Sequence, residues 1–311
     1  MNIAKTAIFK FYSTVLVLIS LLFLGYQLTN SRTFLLSYDW DHTTVIVVLC
    51  CSVCYMLCCS FLAVAWRKLL ETFGSITLTD RFCHYIYART QVAKYIPGNV
   101  FQIAGRHALG RKLGLNHETL AYAAFYEIAG VASVASLLSI SGILLTQTTE
   151  LSLTVFQALI FLSVTASLGL IFIKALPWAA NRLGKDVRQL DFKDVMPRLV
   201  SIFTLYLWFF SCCGLILFTL IFFLTGLSGW SIALLSIATF SISWLSGFIT
   251  PGSPSGLGVR EAVLVLILGG VIGKGDSLVI AFFLRVVTIL GDLLFFTLAT
   301  SLLDPPTPIE M

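Results

Sequence analysis

The longest uncharged stretch of the chain, Leu199–Val259, restricts the fold more than any other feature. It contains 61 residues without a formal charge, whereas about 20 apolar residues suffice for one helix across a bilayer. This segment must therefore lie in a membrane and fold back at least once. Across all 311 residues, 58% are hydrophobic and only 11% are charged, so any chemistry must come from embedded residues or short loops.

Further apolar segments predict an all-α polytopic membrane protein. The predicted full spans are residues 11–28, 43–65, 119–146, 151–173, 199–227 and 277–303. Lys and Arg cluster at residues 67–112 and 174–198, which by the positive-inside rule places these loops and both termini in the cytoplasm. Membrane topology accounts for these Lys and Arg clusters, so we expect no nucleic-acid partner. We predict about six full spans in a single transmembrane domain over residues 1–311, with eight or more spans as the alternative.

Two Pro-Gly motifs interrupt segments that are otherwise apolar and helix-patterned. The first is KYIPGNVFQIAGR, from Lys94 to Arg106, and the second is TPGSPSGLGVRE, from Thr250 to Glu261. Proline removes a backbone donor, and glycine permits conformations that other residues resist. Lipid cannot satisfy the backbone groups that such a break frees, so the break must be buried in protein or line a wet cavity. Two such breaks, one in each half of the chain, indicate a transport site.

The first motif joins two helices that each have a polar face. Residues 81–95 place His84, Tyr87, Gln91 and Lys94 on one face. A second helix, starting at about residue 99, carries Asn99, Gln102 and Arg106. This pattern favours a hairpin that dips into the membrane and returns, and the alternative is a pair of amphipathic helices on the surface.

The two halves of the chain, residues 1–150 and 151–311, share one plan of span, span, broken hairpin and span. This plan predicts an inverted repeat, in which one Pro-Gly tip enters from the cytoplasm, the other enters from outside, and the tips meet near the midplane. The segment Ser231–Ile249 is long enough to cross completely, and in that case the second motif would lie at the cytoplasmic face. Lys274 and Asp276 are predicted to mark a short exposed turn before the last span.

The candidate headgroup-binding residues follow from the helix N-termini that the two motifs create. Such a terminus exposes unpaired N–H groups and favours anions, and the planar fork of arginine suits a phosphate. We therefore predict phosphate binding by an arginine from each motif, with nearby polar side chains. The predicted set is Lys94, Asn99, Gln102, Arg106 and Arg260. The alternative is that the motifs are kinks whose arginines anchor at the interface.

Four further ionisable side chains fall in predicted membrane segments: Glu127, Glu261, Arg285 and Asp292. Each costs roughly 2.5–3.5 kcal/mol at the centre of an isolated helix, so each should pair or face a cavity. Arg285 is a suitable partner for Glu261 or Glu127. The pattern fits structural ion pairs and a proton-coupling relay equally.

The sequence contains no common catalytic motif. H-E-x-x-H, G-x-S-x-G and P-loop motifs are absent from the sequence, so we expect a non-enzymatic protein without a cofactor. The eight cysteines lie mostly in apolar runs, where cysteine acts as a small apolar packing residue. We expect neither a metal site nor a disulfide.

At KYIPGNVFQIAGR and PGSPSGLGVRE the sequence resembles the lysylphosphatidylglycerol synthase transmembrane-region family, a flippase-like group of bacterial and archaeal membrane proteins. The resemblance covers nearly the whole chain. It implies lipid translocation, because in the best-known members a membrane half moves an aminoacylated phospholipid that a soluble transferase half makes, and this sequence has no such soluble half. The motif residues that the resemblance implies are Pro97, Gly98, Gly105, Arg106, Pro251, Gly252, Gly256, Gly258 and Glu261.

Two positions depart from the family pattern. Many members have Gly-Glu after the first proline, whereas here Arg106 follows Gly105 without the acid. Ser255 stands where the usual Gly-Gly pair has its first glycine.

We therefore expect a flippase-like transporter in the bacterial cytoplasmic membrane. Its expected cargo is an anionic phospholipid or a polyprenyl-phosphate-linked sugar, with the headgroup held between the two broken-helix N-termini. The alternatives are a membrane-embedded transferase acting on a lipid-linked sugar and a non-transporting subunit of a cell-envelope synthesis complex. Membrane lipid is the expected partner, and envelope-biosynthesis proteins are further candidates.

Overall fold

The computed structural model describes residues 41–74, 76–96, 100–146, 192–250 and 254–303. Within these residues the fold is entirely helical. The α-helices are α1 (His42–Gly74), α2 (Asp80–Gln91), α3 (Phe101–Lys112), α4 (His117–Thr146), α5 (Phe192–Thr225), α6 (Trp230–Ile249), α7 (Val259–Ile272) and α8 (Lys274–Leu302). Two short 3₁₀ turns, Val92–Tyr95 and Pro254–Gly256, belong to the two Pro-Gly motifs. The predicted spans at 11–28 and 151–173 lie outside the described residues, as do Pro97, Gly98, Asn99, Pro251 and Gly252.

Five of these helices, α1, α4, α5, α6 and α8, are long and apolar enough to cross a membrane. The prediction of an all-α polytopic membrane protein is therefore confirmed. Helix α6 has 20 residues and counts among the five, so its length alone is compatible with the alternative of eight or more spans.

The helices pack closely because small residues lie where two backbones meet. A Cβ on Gly291 of α8 would lie 2.8 Å from the Ser52 carbonyl of α1, and one on Gly214 of α5 would lie 2.4 Å from the Ile237 Cα of α6. No other residue would fit at these two positions without a shift. Lipid provides no hydrophobic drive for association between embedded helices, so the close packing that small residues allow helps to hold such a bundle together.

Helices α2 and α3 are the two arms of a hairpin that starts and ends at one end of the bundle. Arg67 near the end of α1 lies 3.1 Å from Asp80 at the start of α2, and the Thr79 side chain caps α2 by accepting the Phe82 N–H. The chain returns through α3 to the start of α4, where Thr119 meets Gly74 at the end of α1.

The predicted polar face of α2 points into the protein. Tyr87, Gln91 and Lys94 are buried, whereas His84, at the start of the helix, is partly exposed. A pair of amphipathic helices on the surface would expose this face, whereas here three of its four residues are buried. Insertion of the hairpin into the membrane stays a prediction.

Helices α6 and α7 enter the bundle from its opposite end. Helix α8 passes Tyr55 of α1 at Gly291 and His84 of α2 at Phe295, with ring centroids 6.3 Å apart. Its C-terminal part therefore runs towards the start of α2. Lys274, and the end of α7 that precedes it, must lie at the other end.

The predicted turn at Lys274 and Asp276 is wrong in one respect. Both residues are exposed, but they lie in the first turn of α8. Gly273 alone reverses the chain, with a φ of 85° that favours glycine. Its carbonyl accepts the Ser277 hydroxyl at 2.6 Å, so the helix begins directly after it.

The two Pro-Gly motifs meet inside the bundle, where the turn Val92–Tyr95 packs against the turn Pro254–Gly256. They do so beside Tyr55 and Asp292, which lie in the middle third of α1 and of α8. Each hairpin thus reaches about halfway along its neighbouring helices. Entry into the bilayer from opposite faces, and the inverted repeat of residues 1–150 and 151–311, stay predictions.

Candidate functional site

A cavity of about 60 Å³ lies where the two motifs meet. The first motif contributes Lys94, Gln102 and Arg106 to its wall, and the second contributes Ser255 and Arg260. Gln102 Oε1 is buried in this region without a hydrogen-bond partner among the described residues. Four of the five predicted headgroup-binding residues therefore line one cavity, and the fifth, Asn99, lies outside the described residues.

Lys94 forms a buried ion pair with Asp292 that the sequence did not predict. Lys94 Nζ lies 2.6 Å from Asp292 Oδ2, and Tyr95 Oη donates to the same oxygen at 2.6 Å. The ammonium also donates to Tyr55 Oη at 3.4 Å. Since Asp292 is fully buried, its charge is compensated within the protein, as an embedded carboxylate requires.

Arg106 forms a second buried ion pair, with Glu127. Its Nη1 donates to Glu127 Oε1 at 2.6 Å, and its guanidinium lies 4.2 Å from the centre of the Tyr87 ring. Tyr87 Oη donates to the same carboxylate oxygen at 2.8 Å. Gly105, the neighbour of Arg106, lies beside α2, where an added Cβ would make an ordinary van der Waals contact of 3.4 Å with Thr90 Cγ2. Arg106 thus lines the cavity with its charge already neutralised.

Arg260 lies in the first turn of α7, as predicted, and two glycines hold its side chain. A Cβ on Gly247 would lie 2.6 Å from Arg260 Cγ, and one on Gly256 would lie 2.7 Å from its Nε. The guanidinium carbon lies 5.6 Å from the centre of the Trp244 ring, within the range of a cation–π contact. Arg260 is therefore clamped between an aromatic ring and a surface without side chains.

Glu261 caps α7 and faces Arg285. Its Oε2 accepts the Gly258 N–H at 2.7 Å, which satisfies a free donor at the helix start. Its Oε1 lies 3.7 Å from Arg285 Nε. Of the two partners predicted for Arg285, the structure selects Glu261, because Glu127 is engaged by Arg106.

Three arginine nitrogens near Glu261 are buried without a hydrogen-bond partner among the described residues: Arg260 Nε, Arg285 Nε and Arg285 Nη2. Arg285 Nη1 donates to the Ser255 carbonyl at 3.4 Å, and its guanidinium lies 5.7 Å from the centre of the Tyr95 ring. Arg260, Arg285 and Trp244 line a second cavity of about 30 Å³. Arg260 and Trp244 line both cavities, so these two side chains lie between the first cavity and the second.

The two cavities are too small for a lipid headgroup in this conformation. Pockets that bind small molecules typically enclose about 300–1,000 Å³, whereas cavities of about 60 and 30 Å³ hold a few water molecules. In this conformation neither cavity holds a whole headgroup. The charged residues in and beside the two cavities are called the polar centre below: Lys94, Arg106, Glu127, Arg260, Glu261, Arg285 and Asp292.

Four residues at the site were not predicted from the sequence: Tyr55, Tyr95, Trp244 and Gly247. Tyr95 lies next to Lys94 at the Pro-Gly break, and this position could have indicated that it belongs to the site. The other three lie in apolar runs, where aromatic residues and glycine are most often packing residues.

Other polar groups lie away from this centre. Within the residues that the structure describes, no three His, Cys, Asp or Glu side chains form a group that could hold a metal. All eight cysteines are free thiols. His107 and His117 form a hydrogen bond of 2.7 Å between α3 and the start of α4.

A family model that describes the lysylphosphatidylglycerol synthase TM region matches residues 2–295. The match includes both Pro-Gly motifs and every charged residue of the polar centre. No curated protein matches the chain significantly.

Proposed function

The chain belongs to the lysylphosphatidylglycerol synthase transmembrane-region family, and we propose that it is a flippase-like transporter of an anionic lipid. The family and the five apolar helices indicate a multi-pass membrane protein of lipid or envelope biosynthesis or transport. The proposed cargo is an anionic phospholipid or a polyprenyl-phosphate-linked sugar, and the proposed location is the bacterial cytoplasmic membrane with both termini inside.

One observation carries this proposal. Lys94, Gln102 and Arg106 from one broken hairpin line the same cavity as Ser255 and Arg260 from the other. Broken helices whose ends converge inside a bundle are how many transporters build a substrate site near the bilayer midplane. A purely structural pair of kinks would not need five polar side chains at one point.

The small volume of both cavities supports transport by alternating exposure, in which the site widens only when a hairpin moves. The α2–α3 and α6–α7 hairpins reach the polar centre from opposite ends of the bundle, so movement of one hairpin would open the centre to one side only. The Lys94–Asp292 pair ties the first hairpin to α8, and the Arg106–Glu127 pair ties it to α4. We propose that these pairs keep the first hairpin in place while the second moves.

The test is lipid translocation by the purified full-length chain in proteoliposomes. A fluorescent phosphatidylglycerol is added to the outer leaflet, and a chemical quencher that does not cross the membrane is added later. The fraction of fluorescence that survives quenching measures the lipid that has moved to the inner leaflet. We expect translocation by the wild-type chain and its loss in Arg260→Gln. Arg89→Gln is the matched control, because Arg89 is exposed on α2 and lines neither cavity.

Three results would contradict the proposal. One is translocation by Arg260→Gln at the wild-type rate. Another is formation of a product by the purified chain from a lipid-linked sugar donor, which would establish a transferase. The third is absence of translocation together with stable co-purification of a synthase, which would establish a non-transporting subunit.

A further inference from the structure

The embedded charges of the polar centre do not balance. Its cations are Lys94, Arg106, Arg260 and Arg285, and its acids are Glu127, Glu261 and Asp292. Two ion pairs at 2.6 Å account for two of the acids. Two arginines, Arg260 and Arg285, are left with a single carboxylate, Glu261.

No acid in the remaining predicted spans can supply the missing charge. The segments at 11–28 and 151–173 contain no Asp or Glu. Glu261 makes two different interactions. One of its oxygens accepts the Gly258 N–H at 2.7 Å, and the other lies 3.7 Å from Arg285 Nε. One positive charge at Arg260 and Arg285 is therefore uncompensated within the described residues.

The same two side chains carry the unsatisfied donors. Arg260 Nε, Arg285 Nε and Arg285 Nη2 are buried and make no hydrogen bond to any described residue, and the Arg285 side chain is only 10% exposed. A buried donor without a partner is costly, and a buried charge without one costs more. One ligand that brings acceptor oxygens and a negative charge would compensate both the missing hydrogen bonds and the missing charge.

The two guanidinium groups are held in place before any ligand arrives. Gly247 and Gly256 leave room for the Arg260 side chain, and Trp244 lies against it. Arg285 is held by the Ser255 carbonyl and the Tyr95 ring. A site whose donors are fixed by their surroundings loses little conformational entropy on binding.

We infer that Arg260 and Arg285 form a binding site for a monoanionic phosphodiester. A phosphodiester carries one negative charge, which matches the one excess positive charge, and its two free oxygens suit the forks of two arginines. A phosphate monoester carries about 1.5 to 2 charges at neutral pH, and a diphosphate carries more than a diester, so each would leave an excess of buried negative charge. This inference rests on the proposed function and names the substrate chemistry of its site.

Two lipid sources offer this chemistry, a glycerophospholipid and a polyprenyl phosphodiester-linked sugar. The experiment measures binding to the purified full-length chain in detergent by native mass spectrometry. The probes are phosphatidylglycerol, a polyprenyl-phosphate-linked glucose and a polyprenyl diphosphate. Binding of either of the first two supports the site, and the tighter of the two identifies the source.

We expect Arg260→Gln and Arg285→Gln each to raise the Kd of the preferred phosphodiester at least tenfold. Arg89→Gln, the exposed control, is expected to keep the wild-type Kd. Arg260→Gln also removes the excess charge, so its melting temperature without lipid should equal or exceed that of the wild type. This readout separates loss of a binding group from loss of folding.

The site is overturned if both glutamine variants bind the phosphodiesters with the wild-type Kd. It is also overturned if the diphosphate binds tenfold more tightly than either phosphodiester. These outcomes differ from failure of the transport function: binding that depends on both arginines, in a chain that moves no lipid in proteoliposomes, keeps the site and removes the transporter.

Discussion

Lys94 Nζ lies 2.6 Å from Asp292 Oδ2, and this ion pair joins the first Pro-Gly motif to the last helix. Tyr95 adds a hydrogen bond to the same oxygen, so two consecutive residues at the break bind one carboxylate. The pair fixes the end of α2 at the middle of the bundle and thereby sets the position of the polar centre.

Asp292→Asn should destabilise the protein strongly, because it leaves the buried Lys94 ammonium without a counter-charge. Removal of one partner from a buried pair typically costs about 3–5 kcal/mol. Thermal unfolding in detergent, followed by tryptophan fluorescence, measures the effect. The control is Asp276→Asn, which alters an exposed acid in the first turn of the same helix. A double variant, Asp292→Asn with Lys94→Met, should recover much of the loss, and equal destabilisation in both variants would contradict the pair's role.

Arg106 and Glu127 should show strong thermodynamic coupling. Arg106→Gln and Glu127→Gln each leave one buried charge unpaired, whereas the double variant leaves none, so the double loss should be smaller than the sum by about 1–3 kcal/mol. A double-mutant cycle on thermal unfolding measures the difference. Arg67 and Glu71 form the matched control, since they are about a quarter exposed and 3.7 Å apart, and such pairs couple by about 1 kcal/mol or less. Additive effects at Arg106 and Glu127 would show that their contact is not energetically significant.

The positions of the polar helices could be predicted from the sequence because they depend on local pattern. The polar face of α2, the start of α3 after the first break, and Arg260 in the first turn of α7 all follow from residue spacing and from the Pro-Gly breaks. These features depend on neighbours within a few residues, and periodicity reports such neighbours directly.

The pairing of the embedded charges could not be predicted in the same way. Sequence spacing left Arg285 free to pair with Glu127 or with Glu261, and it gave no reason to join Lys94 to Asp292. Partner choice depends on which helices lie side by side, and that arrangement is set by close contacts such as Gly291 against α1. The unsatisfied donors of Arg260 and Arg285 are for the same reason visible only in three dimensions.

Alanine at Gly247 should impair the site more than it impairs the fold. Its Cβ would lie 2.6 Å from Arg260 Cγ and 3.0 Å from the Gly256 Cα. The arginine side chain must therefore move away, whereas the backbone needs to shift by only a few tenths of an ångström. We expect reduced lipid translocation in proteoliposomes with a modest change in melting temperature. Gly270→Ala is the control, because no atom of the described residues lies within 4 Å of the added Cβ and alanine is favoured within a helix.

Alanine at Gly256 should instead impair the fold. Its φ is 70°, and the added Cβ would lie 2.6 Å from the Gly247 Cα. Backbone atoms cannot yield as a flexible side chain can, and the left-handed conformation adds strain of about 1–2 kcal/mol. The melting temperature should therefore fall further for Gly256→Ala than for Gly247→Ala, and the reverse order would contradict the proposed packing of Arg260.

Stability should decrease at mildly acidic pH through His107 on α3. Partial burial, the neighbouring His117 and Arg111 each lower the pKa of the His107 imidazole, whereas an imidazole in the unfolded chain has a pKa of about 6.5. As the pH falls below about 6.5, the unfolded chain takes up a proton that the folded chain resists, so the contribution of His107 is full above this pH and is lost as the pH falls towards the folded pKa. His107→Gln removes this group, so the fall in melting temperature between about pH 7.5 and about pH 5.5 should be smaller than in the wild type. An equal or larger fall in His107→Gln would show that the contact between His107 and His117 does not resist protonation.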